Sequence, residues 1–453
     1  MATDQPQKLF KAQTLKGFRD YMPELMAPRQ AMIRQIEATF ERHGFQPLQT
    51  PALEYLETLA GKYGDEGDKL LYRFQDHGER HVALRYDLTV PLARVVAEHR
   101  NEIQLPFRRY QVAPVWRADK PQRGRFREFF QCDADIVGVN SAMADAETLI
   151  TGLSVLQALG IDGAVLHLNH RDVLFGLIAA AGVTDKAQQI ACVRAIDKLD
   201  KIPPEAVQAE IVTNTGLDEA TAKRVLREFV DPAGTFEAVY RELVETNAVI
   251  HGDGLLGGGL KRVNDVLKLI EAAGLGDRVR FDPTIARGLD YYTGIIYETR
   301  LTDPRVKGMG AVMSGGRYDG LIGLFTKESI PAVGISLGLD RLLAAMQELD
   351  LVQKDSHAVQ VYVTVFGEAE AATAIGVART LRQAGLRVEL DLAGGKLGKQ
   401  LERASKRGAR LAVMIGPDEA AAGTAVLKDL RDGSQQSLTQ GELAPEAARI
   451  LAV

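Results

Sequence analysis

The residues best equipped for chemistry lie in the stretch 106–137, PFRRYQVAPVWRADKPQRGRFREFFQCDADIV. Two aromatic and aliphatic runs flank the break Ala118-Asp119-Lys120-Pro121-Gln122-Arg123-Gly124, so it reads as a hairpin with a long basic tip. From Arg125 the two-residue period of a strand puts Arg125, Arg127, Phe129, Gln131, Asp133 and Asp135 on one face. Phe126, Glu128, Phe130, Cys132, Ala134 and Ile136 fall on the other, mostly apolar face. Guanidinium and carboxylate groups are costly to bury unless a counter-charge or a ligand meets them. A solvated strand face is the plain alternative. Against it, Phe129 shares the charged face, and over residues 108–129 seven basic residues stand against two acids, a surplus that suits a polyanion such as triphosphate or RNA.

Three further stretches place polar groups at the ends of elements. In HVALRYDLTVPLARVVAEHR, Val82, Leu84 and Tyr86 alternate, and Asp87 or Thr89 can cap the helix that follows. Arg85, Asp87 and Thr89 therefore meet at a helix start, and capping accounts for one of them. In VRFDPTIARGLDYYTGIIYETRL, Arg287, Asp290, Tyr291 and Tyr292 are interleaved with Gly288 and Gly294, small residues that let a ligand approach closely. In PAVGISLGLDRLLAAMQEL, Val333, Ile335 and Leu337 alternate into Gly338, after which helical spacing puts Arg341 in a first turn. An arginine there opposes the positive helix end. An anion held between the two resolves the conflict, and a surface ion pair is the alternative.

The elements that must position these groups follow from periodicity. Leu25, Met32, Ile33, Ile36 and Phe40 predict a helix that stops at His43-Gly44, followed by a short strand ending near Pro51. A helix is expected over residues 141–160 and a strand over 164–168. Residues 171–273 are Ala-rich and charged with no strand signal, and read as a helical insertion. Within it, Gly252-Asp253-Gly254-Leu255-Leu256-Gly257 matches G-x-G-x-x-G but follows no strand, so it reads as an interhelical loop. After a linker over residues 351–357, alternation at Val359, Val361, Val363 and Val365 opens an α/β domain of about ninety residues. Its residues 396–410 hold six basic residues and one acid, Glu402, which suits an RNA surface and a solvated helix face equally well.

At 453 residues the chain exceeds one ordinary core, and two or three domains are expected. Its 46% apolar and 25% charged content is that of a soluble globular protein. No run of eighteen apolar residues occurs and the polar N-terminus lacks a signal-peptide core, so a cytoplasmic location is expected. Two cysteines, Cys132 and Cys192, argue against a disulfide framework, and the eight histidines show no metal spacing. The net charge of −5 argues against sheathing nucleic acid, not against local basic patches for a defined RNA.

Taken together and in this order, these blocks resemble the histidyl-tRNA synthetase family of class II aminoacyl-tRNA synthetases. Arg117 and the strand after it resemble motif 2, GISLGLDRL with Arg341 resembles motif 3, and GFQPLQTP ending at Pro51 resembles the dimer-interface motif 1. RGLDYYTG at 287–294 and REFFQCDADIVG at 127–138 resemble the family's two histidine signatures. The resemblance implies an α+β fold: a class II antiparallel-sheet catalytic core (1–170 and 274–350), the helical insertion (171–273) and a C-terminal α/β anticodon-binding domain (357–453) in a homodimer. It implies that L-histidine and ATP give histidyl-adenylate, from which the acyl group passes to tRNA(His). By the same carry-over Arg117 holds the α-phosphate, Arg341 the γ-phosphate, and Arg287 bridges the substrate carboxylate and α-phosphate; Arg125 and Arg127 join them at ATP. Asp87, Thr89 and Gln131 bind the substrate ammonium, Asp135 and Tyr292 read the imidazole, and Tyr291 lines that pocket. Arg123, Lys396, Lys399 and Arg403 are the tRNA candidates, and Mg²⁺ is expected on the phosphates without assigned ligands. One departure is Arg85-Tyr86-Asp87-Leu88-Thr89, where bacterial members often read RPEGT, so that Asp87 replaces a glutamate. Two other readings remain, a non-catalytic histidine-binding regulatory paralogue and a class II synthetase for another amino acid; the C-terminal domain speaks against the first and RGLDYYTG against the second.

The role carried over to Arg287 predicts that Arg287→Ala stays folded while histidine-dependent ATP/pyrophosphate exchange falls by about 100-fold or more, the usual loss on removing a charge-stabilising donor. Near-normal exchange in that variant would refute the role.

Overall fold

Pairing between strands far apart in the chain organises the first of the two units into which the computed structural model divides after Val352. The structure describes residues 10–120, 125–199, 201–230, 254–286, 291–352 and 359–452, apart from the side chains of residues 65 and 66. Strands of the first unit are β1 (Gln46–Pro47), β2 (Leu53–Tyr55), β3 (Arg73–Gln75), β4 (His81–Leu84), β5 (Phe107–Trp116), β6 (Glu128–Val137), β7 (Ala164–His170), β8 (Val279–Phe281), β9 (Ile295–Leu301), β10 (Met313–Arg317) and β11 (Ala332–Gly338). Eight of them form one sheet in the order β1-β5-β6-β11-β10-β9-β7-β8, antiparallel except at the β1–β5 and β7–β8 edges. A small antiparallel sheet, β2-β4-β3, stands apart from it.

The hairpin β5–β6 pairs along its whole length, from Phe107 opposite Val137 to Trp116 opposite Glu128. Its second strand begins at Glu128 rather than Arg125, because Arg117 N bonds Arg127 O (2.9 Å) and closes the ladder at the tip. Alternation divides β6 as its sequence requires. Cys132, Ala134 and Ile136 join the main apolar core with Met32, Ile36 and Phe40 of the helix Pro23–Arg42, and each fully buried aliphatic or aromatic side chain contributes about 1.5–3 kcal/mol. The opposite face, with Phe129 and Gln131, turns toward a cleft.

The helical stretch runs through Arg171–Ala180, Lys186–Ile196, Pro204–Thr215, Glu219–Val230 and Leu255–Ala272. It shares its core with the sheet: Leu174, Leu177, Leu260 and Val263 belong to the same apolar cluster as Leu166 and Leu168 of β7. The expected loop at Gly252–Gly257 is a helix start instead, with Gly254 at the N-cap and Gly257 inside the first turn; Gly252 and Asp253 lie outside the described residues.

The second unit has strands β12 (Val361–Val363), β13 (Val388–Leu390), β14 (Leu411–Met414), β15 (Thr424–Asp429) and β16 (Gln435–Thr439). They form a sheet in the order β13-β12-β14-β15-β16, parallel around β12 and antiparallel beyond β14. Val361, Val363, Val377, Leu381, Leu411 and Val413 make its core.

Candidate active site

Each end of an element that sequence marks as polar is built around a buried charge. The helix Thr89–Glu98 starts where Asp87 Oδ1 accepts from Val90 N (3.1 Å), satisfying a helix-end donor and meeting the positive end of the dipole. The hydroxyl of Tyr63 donates to the same oxygen (3.1 Å) and that of Tyr291 to Oδ2 (2.9 Å), so Asp87 joins two distant segments. Arg85 does not share this site. It is buried beneath the strand end, donating to Thr50 O (2.7 Å) and Pro114 O (3.0 Å), and serves as an internal strut.

Behind Asp87, β6 buries Asp133 and Asp135. Arg109, fully buried on the neighbouring strand, lies 2.7 Å from Asp135 Oδ2, while Tyr318 donates to Oδ1. Burial is the first cause that raises all three carboxyls above their ordinary range. Asp133 is pushed up to about 8, with Arg109 opposing and Asp135 adding to the rise. The space for this cluster comes from glycines. A Cβ on Gly334 would sit 1.8 Å from Asp135 Oδ1, and one on Gly315 would sit 2.1 Å from Gly334 O.

Above this floor opens a cleft of about 560 Å³, lined among others by Asp87, Thr89, Arg117, Arg125, Gln131, Tyr291, Tyr292 and Arg341. The guanidinium of Arg117 lies between two rings, 4.2 Å from the Tyr86 centroid and 5.1 Å from that of Phe129, and its Nε donates to Tyr86 O (3.1 Å). Stacked and anchored in this way, a planar cation keeps one orientation without a protein carboxylate. Arg125 pairs with Asp119 (2.8 Å). Gln131 Nε2 donates to Ser336 Oγ (2.6 Å), and Gln131 Oε1 is buried without a partner among the described residues. Tyr291 and Tyr292 meet edge to face, centroids 5.2 Å apart, and burial raises both phenols.

Arg341 stands in the first turn of the helix Leu339–Glu348 and donates from Nη1 to Ala311 O. The expectation that an anion must meet the positive end of that helix needs amending, because the adjacent Asp340 already does so. Asp340 is buried and takes Arg19 Nη2 (3.0 Å), Phe130 N (3.0 Å) and the hydroxyl of Tyr21, with Arg29 Nε 3.5 Å away.

Two of the expected residues do not line the cleft. Arg127 donates to Asp119 O (3.0 Å) and Lys16 O (3.3 Å), bracing the hairpin near its tip, and Asp135 faces Arg109 and Tyr318 within the floor. Arg287 and Arg123 lie outside the described residues. In the second unit, Lys396 and Lys399 begin the helix Leu397–Lys406, while Arg403, about a third exposed, bonds within the unit. It donates to Asp391 (2.9 and 2.7 Å) and Gly394 O (2.6 Å), while Tyr362 donates to the same carboxylate (2.7 Å), so Arg403 is a loop brace. Sequence reasoning missed Lys201, Glu298, Ser336 and Asp340. Ser336 could have been found, since it interrupts the apolar run GISLG; Lys201 and Glu298 carry no local signal.

Arginines fixed above a pocket of buried carboxylates, gathered at a largely antiparallel sheet, make up an amino-acid-activating centre of the class II aminoacyl-tRNA synthetase kind. A family model described as histidyl-tRNA synthetase matches residues 17–342, and one described as anticodon binding domain matches residues 360–449. The chain is 41% identical to a histidine–tRNA ligase of Rhodopirellula baltica, over 97% of this chain and 98% of that protein. The crystal structure of a histidyl-tRNA synthetase from Nostoc superposes with a TM-score of 0.85 at 33% identity, covering 97% of this chain and 100% of that one. A Bacillus halodurans structure titled as an ATP phosphoribosyltransferase regulatory subunit/histidyl-tRNA synthetase shares the fold, with a TM-score of 0.73 at 23% identity over 88% of this chain and 97% of that one. The chain belongs to the histidyl-tRNA synthetase family, ATP-using enzymes that charge tRNA with histidine.

The buried acids give a pH test. The Asp133 carboxyl titrates at about 8 in the folded chain and near 4 when unfolded, so folding binds a proton across that window and stability falls as pH rises through it. Asp133→Asn, neutral at every pH, should be more stable than the parent at pH 8, with the gain shrinking toward pH 5 in urea unfolding. A gain that does not change with pH would contradict an elevated Asp133.

Proposed function

We propose that this chain joins L-histidine to tRNA(His) at the cleft above in two steps, in the cytoplasm and as a homodimer. In the first, a histidine carboxylate oxygen attacks the α-phosphorus of ATP and pyrophosphate leaves. In the second, a terminal hydroxyl of the tRNA attacks the acyl carbon and AMP leaves. Both steps bring anions or developing negative charge together, so positioning and charge neutralisation supply most of the catalysis, and no side chain becomes a nucleophile.

Arg117 holds the α-phosphate and Arg341 the γ-phosphate, with Arg125 at the open side of the nucleotide and Arg287 bridging carboxylate and α-phosphate. The observation that carries this reading is that Arg117 and Arg341, from the hairpin and from a helix far along the chain, line the cleft that also holds Asp87, Gln131, Tyr291 and Tyr292. The substrate ammonium is assigned to Asp87, Thr89 and Oε1 of Gln131, a buried acceptor with no donor among the described residues. Tyr292 reads the imidazole. Asp135 supplies negative field beneath it, from its place between Arg109 and Tyr318. A pocket that hydrogen-bonds the ring leaves those groups unpaired with an apolar isostere, which gives discrimination of about 10⁴ or more.

Mg²⁺ enters with the nucleotide. No group of three metal-binding side chains occurs among the described residues, which fits an ion held by phosphate oxygens and one or two carboxylates. Glu298 and Asp119, the latter paired with Arg125 in this structure, would hold it from the cleft, and the ion would neutralise phosphate charge. The second unit is assigned the anticodon, with Lys396 and Lys399 as phosphate contacts and Arg123 of the hairpin tip reaching the acceptor end. The homodimer is supported by Leu53, Tyr55 and Phe74 of the small sheet, large apolar side chains about half exposed beside a second hollow lined by Pro51 and Phe325. No helix among the described residues is long and apolar enough to cross a membrane.

ATP/pyrophosphate exchange measured with each standard amino acid in turn tests the reading. Histidine alone should support exchange. Exchange with none would favour the regulatory paralogue, and exchange with another amino acid would favour a different synthetase.

A further inference from the structure

The segment that carries Tyr291 and Tyr292 is held from behind by Arg317, the last residue of β10. Arg317 O accepts from Thr293 N (2.7 Å), and Arg317 Cδ fills the space where a Cβ on Gly294 would lie, 2.8 Å away. The next turn adds a second hold, as Asp319 N donates to Thr293 Oγ1 (3.0 Å). A Cβ on Gly316 would meet the ring of Tyr292 at 2.9 Å, so that ring lies directly on the strand that Arg317 ends.

Arg317 is itself buried and fixed through every nitrogen. Its Nε (3.0 Å) and Nη2 donate to Asp145 Oδ1, and its Nη1 donates to Val139 O (3.1 Å) and Asp319 Oδ1 (3.0 Å). Asp145, fully buried in the first turn of the helix Ala142–Ala158, is shared. Its Oδ2 takes Arg262 Nε (2.6 Å), and Arg262 belongs to the last helix of the helical stretch, where its Nη2 also donates to Asn140 Oδ1 (2.9 Å). The first helix of that stretch touches the same segment from the other side, since Arg171 N donates to Gly294 O (2.9 Å). His170, whose Nδ1 accepts from Asp172 N (3.1 Å), is pushed down to about 4 by burial and then by Arg262 and Arg317. It therefore adds no positive charge at neutral pH; Asp145 faces both guanidiniums, and Asp319 meets Arg317 alone.

We propose that Asp145 and Arg317 are positioning residues for the amino-acid pocket, through which the seating of the helical stretch by Arg262 sets the placement of Tyr291 and Tyr292. Neither residue touches substrate, and the proposal rests on the assignment of those tyrosines to histidine under the proposed function. Arg117, Arg125 and Arg341, assigned to the phosphates alone, come from the hairpin and from the helix Leu339–Glu348, outside this relay. Arg287 precedes the two tyrosines and is assigned to the histidine carboxylate as well, so loss of the relay should tell on histidine far more than on ATP.

The test is steady-state ATP/pyrophosphate exchange by the full-length chain, corrected for active enzyme by adenylate burst titration. Asp145→Asn keeps the shape and removes the charge. It should raise KM for histidine about tenfold or more while KM for ATP stays within about twofold, because a small misplacement of a binding group costs far more than its distance suggests. A purely structural role would lower the active fraction and leave both KM values unmoved, and that result overturns the proposal. Should Asp145→Asn fail to fold, Arg262→Gln decides, since it leaves the Asp145–Arg317 pair intact. A rise of about threefold in KM for histidine alone supports the relay, and unchanged KM values or an equal rise for both substrates overturns it. Absence of histidine-dependent exchange in the parent chain would instead count against the function on which the proposal rests.

Discussion

The structure depends on keeping Asp87, Asp133 and Asp135 out of water, with the fully buried Arg109 beside the latter two. Burying ionised carboxylates costs several kcal/mol each unless they are paired or protonated. Here both remedies act: Arg109 and Tyr318 hold Asp135, Tyr63 and Tyr291 hold Asp87, and Asp133 is raised far enough to keep its proton at neutral pH. A surplus of buried acid is a poor way to stabilise a fold. It is a good way to prepare a site for a cationic ammonium and for the N–H groups of an imidazole. Under the proposed function the cleft arginines would supply the opposite charge for a nucleotide, and the site would sort the two substrates by sign.

Much of this was legible in the sequence, because the features concerned are local. Period-two alternation in residues 125–137 separates the apolar face of β6 from the face turned to the cleft, and Phe129, out of place on a solvated face, is one of the rings that flank Arg117. The helix Pro23–Arg42, the strand β7 and the α/β order of the second unit also follow from spacing and turn residues. What the sequence concealed is long-range. β6 lies between β5 and β11, and nothing in the period of either strand selects its partner. Asp340 reads as an ordinary first-turn acid, and only the fold brings Arg19, Arg29 and Tyr21 to it. Basic residues read ambiguously, since Arg127 and Arg403 belong to runs that suit a polyanion and each also bonds carbonyls or a carboxylate of its own unit.

A fold alone does not make a catalyst. What distinguishes a catalyst is whether the arginines and the acid floor address one bound molecule. A crystal structure of this chain with a non-hydrolysable histidyl-adenylate analogue measures that directly. The phosphate should lie within hydrogen-bond reach of Arg117, the ammonium against Asp87 and Gln131 Oε1, and the imidazole at Tyr292. An analogue bound elsewhere, or bound in the cleft with its phosphate away from Arg117, would contradict the account.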